Sequence, residues 1–364
     1  MITRSYNNIP RQRSMQGMSL PEILAAVLIG LIGMIVIMQV YATSEERKRT
    51  TTGTSDAQIN GNIALYTLES TIRNAGFGMV SANSNMLGCT TLAYNSDRAI
   101  PDFTFLMAPV VITVGALGTP DAITVTYGSS PNVVEGEAFV NAAAAGADFP
   151  LKNAAGINLG DLVVASESGL NCSLAEVTGF LPASINTVQH DTGGAYSYVD
   201  ALGNTVSPTA KYNKAGGSGV AYSANALLFT LGRNPSVSTY QIASDKLQIS
   251  TLLPYAAAPT ADIGDGIVQL KAQYGKDTNG DGAVDTWDTV LPANATQWMQ
   301  VRALRIALLA RSAKYEKTSV TAAAPSWYGG SFTMTDPADG TDWHFYRYRV
   351  YQTVVPLRNM IWSN

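Results

Sequence analysis

Hydrophobic and polar positions divide the chain into three stretches. From Ile23 to Tyr41 runs an apolar segment of 19 residues in which Gln39 is the only strongly polar side chain. At ~1.5 Å per residue, a helix of that length covers the ~30 Å of a bilayer's hydrocarbon core. Residues 43–75 change character. Ile59, Ile63, Leu65, Leu68, Ile72 and Ala75 fall near helical spacing, while Asn62, Glu69 and Arg73 can face outward. This predicts a second, amphipathic half of the same helix, which would run from Met18 to Ala75. The threonines of Thr50–Thr54, with Gly53 and later Gly61, weaken helix propensity, each glycine by about 1 kcal/mol, so a bend or loose stretch is expected there. Gly76 is well placed to stop the helix.

From Phe77 onward, short β-like runs alternate with Gly, Pro, Asn and Ser. Strands are expected at Ile123–Tyr127, Leu162–Ser166, Leu174–Phe180, Ala226–Leu231, Gly266–Tyr274, Gln300–Arg311 and Phe345–Val355. A hairpin is expected at Thr239–Ser250, turning near Ser244-Asp245. The run Phe345–Tyr351 alternates aromatic and basic residues, as a half-buried strand does. Residues 140–156 are Ala-rich and 191–220 are rich in Gly, Ser and Tyr. Both read as long surface loops or insertions, not as separate domains. The fold class is α+β: a long N-terminal helix, membrane-spanning in its first half, packed on a large antiparallel β-rich head.

Composition narrows the setting. A chain of 364 residues holds one or two domains, and 14% charged residues with abundant Gly, Ser, Thr, Ala and Asn suit an extracytoplasmic β-rich domain. The formal net charge is −4, and without the first 17 residues, which hold Arg4, Arg11 and Arg13 and no acid, 20 basic residues face 27 acidic ones. That balance offers no footprint for nucleic acid. Three arginines ahead of the apolar span fit a cytoplasmic N-terminus, which places the rest in the periplasm or outside the cell. In an oxidising compartment, Cys89 and Cys172 form an even pair, and a bridge between them is the expectation. Two buried, unpaired thiols are the alternative, because spacing alone does not fix pairing.

Glu22 stands at the start of the apolar span, where a carboxylate costs roughly 2–3 kcal/mol on insertion scales and so needs a partner or a role. No A-x-A-like cleavage site follows Tyr41. The order of a short basic leader, Gly17, Met18, Ser19, Leu20, Pro21, Glu22 and an apolar helix resembles the type IV prepilin leader. That resemblance implies cleavage between Gly17 and Met18 by a prepilin peptidase, methylation of the new amine, and Glu22 as the fifth mature residue. Glu22 would then pair with the Met18 amine of a neighbouring subunit. Two positions depart from the commonest pattern: Met18 replaces Phe, and Pro21 precedes the glutamate, where a first helical turn tolerates it. Three segments follow: a leader at 1–17, a transmembrane assembly helix at 18–76 and a β-rich head at 77–364.

The end of the helix, Asn60–Met79, followed by Gly88-Cys89, and the segments Gly266–Asp288, Val301–Ser312 and Phe345–Asn359 resemble PilW-type minor pilins of type IV pili. That resemblance implies a structural role in a tip or priming complex. It implies as partners other minor pilins, the major pilin, a PilY-type tip adhesin, the prepilin peptidase and the inner-membrane assembly platform. It also implies passage from the inner membrane, with the head in the periplasm, to the pilus at the cell surface. A J-type pseudopilin of type II secretion shares the leader and helix and is the nearest rival. A signal-anchored surface adhesin or enzyme, active through its middle loops, is a more distant one.

The sharpest local motif is Asp277-Thr-Asn279-Gly-Asp281-Gly282-Ala283-Val-Asp285-Thr-Trp-Asp288. Its oxygen side chains at alternate positions, the turn at Gly282 and the Ala283 carbonyl follow an EF-hand-type calcium loop, with Asp288 in place of the usual glutamate. A structural Ca2+ is expected there, while an acidic Asn-Gly/Asp-Gly turn would need no metal. Catalytic patterns are thin, so no enzymatic activity is expected. His190 and His344 lack metal-ligand spacing, and no G-x-S-x-G, P-loop or H-E-x-x-H occurs. Gly216-Gly-Ser-Gly219 reads as a flexible loop, and Arg347 with Arg349 as an exposed strand face.

Overall fold

The computed structural model describes residues 17–79, 85–132, 135–200, 202–253 and 260–361. The leader arginines lie outside these residues. Helix α1 runs Leu20–Asn74 without a break, through Thr50–Thr54 and both glycines. Its start carries half of a capping box: the Ser19 main-chain N–H donates to Glu22 Oε2 at 2.9 Å, and the Ser19 hydroxyl donates to the same oxygen at 3.1 Å. Its end is a left-handed turn at Gly76, φ +77°. There the Asn359 side-chain amide donates to the carbonyls of Asn74 and Ala75 at 3.2 and 3.0 Å, satisfying two that the helix leaves open.

The chain divides into two units, one ending at Gly53 and the other covering Thr54–Asn364. In the first, the 26 residues Leu20–Glu45 are long and apolar enough to cross a membrane. Their large side chains, from Ile23 through Tyr41, are exposed.

In the second unit the last turns of α1 bury a stripe of Gly61, Ala64, Leu68, Ile72 and Ala75. Ile59 and Ile63, expected on this face, are instead 54% and 49% exposed. The cause is Gly61. A Cβ there would lie 2.3 Å from the Tyr351 ring, so the helix meets the sheet along its smallest side chains and the isoleucines rotate outward.

That helix face packs on two antiparallel sheets. The five-stranded sheet has the order 260–265, 246–253, 236–243, 122–127, 110–113. Its central hairpin turns at Ser244 and Asp245, with φ of 50° and 58°, the left-handed pair a two-residue hairpin demands. The four-stranded sheet has the order 286–288, 267–276, 301–311, 348–356. Its last strand begins at Tyr348 and not at Phe345, because Trp343–Phe345 forms a short 3-10 turn. Thr71 and Tyr240 share a hydroxyl–hydroxyl bond of 2.7 Å, and Asn60 donates to the Asp265 carbonyl at 3.3 Å, which ties α1 to the first sheet.

A six-stranded sheet, in the order 102–106, 90–94, 172–176, 162–166, 227–232, 137–138, is covered on both faces. Leu162, Val164, Cys172, Leu174, Phe229 and Leu231 face the main core shared with α1. Val163, Ala165, Ala175 and Leu228 face a second core. This corrects the reading of 140–156 as a surface loop, while the described residues of 191–220 are mostly exposed loop, as expected. Ala143, Phe149, Leu151, Ala154 and Tyr222 belong to, or border, those segments and fill that second core. Gly146 and Gly217 bring two backbones so close that a Cβ on Gly217 would lie 2.5 Å from the Gly146 backbone, so the glycine run is a packed crossing. Cys89 and Cys172 are bonded, with Cα atoms 5.8 Å apart. Beside the bond, strands 90–94 and 172–176 run parallel, paired only at Thr91–Cys172 and Leu92–Ser173.

Candidate functional site

Gly17, Met18 and Ser19 form an exposed, irregular lead-in to α1, and a Cβ added to Gly17 would meet nothing. The Glu22 carboxylate lies one turn in, held by Ser19 and open to solvent. The serine three residues before the glutamate is a capping signal visible in the sequence.

The Asp277–Asp288 loop turns on its own hydrogen bonds. Asp277, 2% exposed, accepts the main-chain N–H groups of Gly280 and Gly282 at 2.7 and 3.0 Å, and Arg302 Nε lies 3.5 Å from it. Asp281 accepts from Ala283 N–H at 2.8 Å, and Asp285 from the N–H groups of Thr278 and Asn279 at 2.8 and 3.2 Å. The Thr286 hydroxyl, which donates to Asp285 at 2.8 Å, holds its carboxyl below the usual range, with smaller help from the Thr278 and Asn279 bonds. Asp288 is taken by Lys276 Nζ at 2.7 Å and by the Val290 N–H at 2.9 Å. Among the described residues, no three His, Cys, Asp or Glu side chains group as metal ligands.

The remaining candidates are occupied in other ways. His190 stacks on Phe149 at 4.4 Å, and its Nε2 donates to the Ala147 carbonyl at 2.9 Å. His344 stacks on Trp343 and bonds Asp342 through Nδ1 at 2.6 Å. Arg347 pairs with Glu316 at 3.1 Å, and Arg349 lies 5.7 Å from the Tyr351 ring centre.

One feature had no sequence signal at all. A cavity of about 420 Å3 opens beside the parallel strand pair, lined by residues of 92–94, 102–104, 144–149, 173–175 and 212–222. It needs those five separate stretches of chain together with His190, and no local motif marks it.

An apolar N-terminal helix leading into a large antiparallel β-rich unit is the architecture of a pilin-like α+β protein. Residues 236–359 match the family model described as type IV pilus-assembly protein W, PilW. Over its C-terminal third the chain is therefore similar to PilW proteins, which supports the role of a type IV pilus minor pilin. A type IV-like pilin from Thermus thermophilus aligns over 82% of this chain and 94% of its own, at 10% identity and a TM-score of 0.33. A likeness of that size bears on no feature of the fold. No curated protein matches the chain.

Proposed function

We propose that this minor pilin enters its pilus through α1 and acts in the tip or priming complex, where assembly of the major pilin begins. The observation that carries the reading is the start of the helix. An ionisable carboxylate, Glu22, sits one turn into a span apolar enough for a membrane, and four residues after the amine that cleavage at Gly17 would create. Inside a bilayer or a packed helical core, such a carboxylate seeks a cation. The Met18 amine of an adjacent subunit supplies one at the right depth when helices are staggered by about one turn. Cleavage before the apolar run leaves the helix attached, so the head stays at the membrane, on its periplasmic side, until assembly. Other minor pilins, the major pilin and a PilY-type adhesin are the proposed contacts, with the prepilin peptidase and the inner-membrane platform as machinery. Nothing in this role requires catalysis.

Intact mass and N-terminal sequencing of the protein made with and without prepilin peptidase test the processing. A methylated Met18 seen only with the peptidase is expected, and an uncut chain would sink the reading. Glu22→Ala is expected to be cut normally yet to fall out of co-purification with partner pilins. A variant recovered with its partners as well as the wild type would remove the pairing mechanism.

A calcium ion at the Asp277–Asp288 loop is a separate proposal. Binding would have to draw Asp288 from Lys276 and realign carboxylates that now hold the loop's own N–H groups. The expected affinity is therefore weak, on the order of the 10⁻⁴–10⁻³ M of extracellular modules. Calorimetric titration reads it directly, and the absence of a saturable heat with millimolar Ca2+ overturns it.

A further inference from the structure

We propose that the cavity beside the disulfide-linked strands is a binding site for a neutral saccharide of one or two rings. The inference is independent of the pilus role, because it rests on side chains of the middle region, which the PilW match does not cover.

The cavity arises where two strands part. Strands 90–94 and 172–176 are paired only at Thr91–Cys172 and Leu92–Ser173, after which the ladder stops. Further on, the space between them is closed by the segment 211–213. Ser96 N–H donates to the Lys211 carbonyl at 2.9 Å, and the Asn213 side chain bonds the Glu176 main chain at both its N–H and its carbonyl, each at 2.8 Å. Between the paired end and this plug lies the opening, walled by Leu92 to Tyr94 on one side and Ser173 to Ala175 on the other. Its position is fixed covalently, since Cys172 directly precedes Ser173.

The lining is amphipathic and carries no net charge. Phe103 and Phe149 give aromatic surface. Arg98 lies 4.4 Å over the Phe103 ring and His190 stacks on Phe149, so both rings are held in place. His190 donates through Nε2 to Ala147, which leaves Nδ1 as an acceptor. At the rim, Lys214 Nζ reaches both oxygens of Asp102, at 2.8 and 2.9 Å, and the pair cancels its own charge. The Ser218 hydroxyl bonds Ser173, which in turn bonds Tyr222 at 2.7 Å.

These features discriminate between ligands. A volume of about 420 Å3 is at the low end of ligand pockets, which run roughly 300–1,000 Å3, so the ligand is small. An anion or cation would meet a matched Asp–Lys pair and gain little. A purely apolar ligand would strip water from that pair and from Ser218 without replacing its hydrogen bonds. A pyranose fits both halves: its C–H face lies on an aromatic ring, whose π-face is electron-rich, while its hydroxyls reach Asp102, Lys214 and the His190 acceptor.

The test uses the full chain in a detergent that carries no sugar, with saturation-transfer NMR against four probes. These are methyl β-galactoside, methyl α-mannoside, N-acetylglucosamine and lactose, with cyclohexanol as an apolar control. Transfer to at least one saccharide is expected. It should be lost in Phe103→Ala and weakened roughly tenfold in Asp102→Asn, the scale of one hydrogen bond to a charged group. Transfer to none of the four, transfer to cyclohexanol alone, or transfer unchanged in both variants would each overturn the proposal. If Phe103→Ala unfolds by circular dichroism, Asp102→Asn decides alone, because it alters only an exposed pair.

Discussion

Replacing Gly61 by alanine improves intrinsic helix propensity by about 1 kcal/mol, yet a Cβ there would lie 2.3 Å from the Tyr351 ring. Overpacking a buried contact costs about 1–3 kcal/mol, so Gly61→Ala is expected to lower stability, read as a shift in denaturation midpoint at constant slope. Combining it with Tyr351→Leu should recover part of the loss, and a strictly additive double variant would remove the contact as the cause. The sequence pointed to the right helix at this site and to the wrong side of it. Spacing alone cannot tell a glycine that weakens a helix from one that admits a tyrosine 290 positions later. Glu22 is the opposite case. Its position before an apolar run was plain from the sequence, and the hydrogen bonds from Ser19 add only how it rests within one chain.

Among the elements, those defined by local pattern were legible. Leu162–Ser166 is a strand as expected, and the hairpin turns at Ser244-Asp245 because only those two non-glycine residues among the described ones take positive φ. The pairing of strands 90–94 and 172–176 was not legible, since the partners are far apart in sequence and meet beside a covalent bond. With 82 residues between its cysteines, that bond is worth about 4–5 kcal/mol in the loop-entropy model. Cys89→Ala with Cys172→Ala is expected to lose most of this in chemical denaturation. A loss below about 1 kcal/mol would mean that the strand pairing holds without the bond. The double variant should also lose saccharide transfer before it loses its overall β signal, because the cavity begins one residue from the bridge.

At the scale of the whole second unit, buried tyrosines govern the response to alkali. Burial pushes the hydroxyls of Tyr212, Tyr222 and Tyr348 from 10.0 up to about 12. A folded pKa above the unfolded one gives stability that is complete below pH 10 and is lost as pH rises through about 12. The melting temperature should therefore fall steeply across that window while the ultraviolet signal of phenolate rises, and Tyr222→Phe should make the fall shallower. Ionisation of every tyrosine near pH 10 with no loss of fold would contradict the burial of these groups. The largest misreading belongs to this scale as well. Residues 140–156 look like loop because alanines and glycines carry little periodic signal, yet Phe139, Phe149 and Leu151 anchor them over the six-stranded sheet. A sheet whose alternate side chains serve two separate cores behaves as a party wall. The outer storey, residues 139–157 and 177–226, can be remodelled from one protein to the next as long as Val163, Ala165, Ala175 and Leu228 find new neighbours, while the frame on the inner side goes on holding its helix.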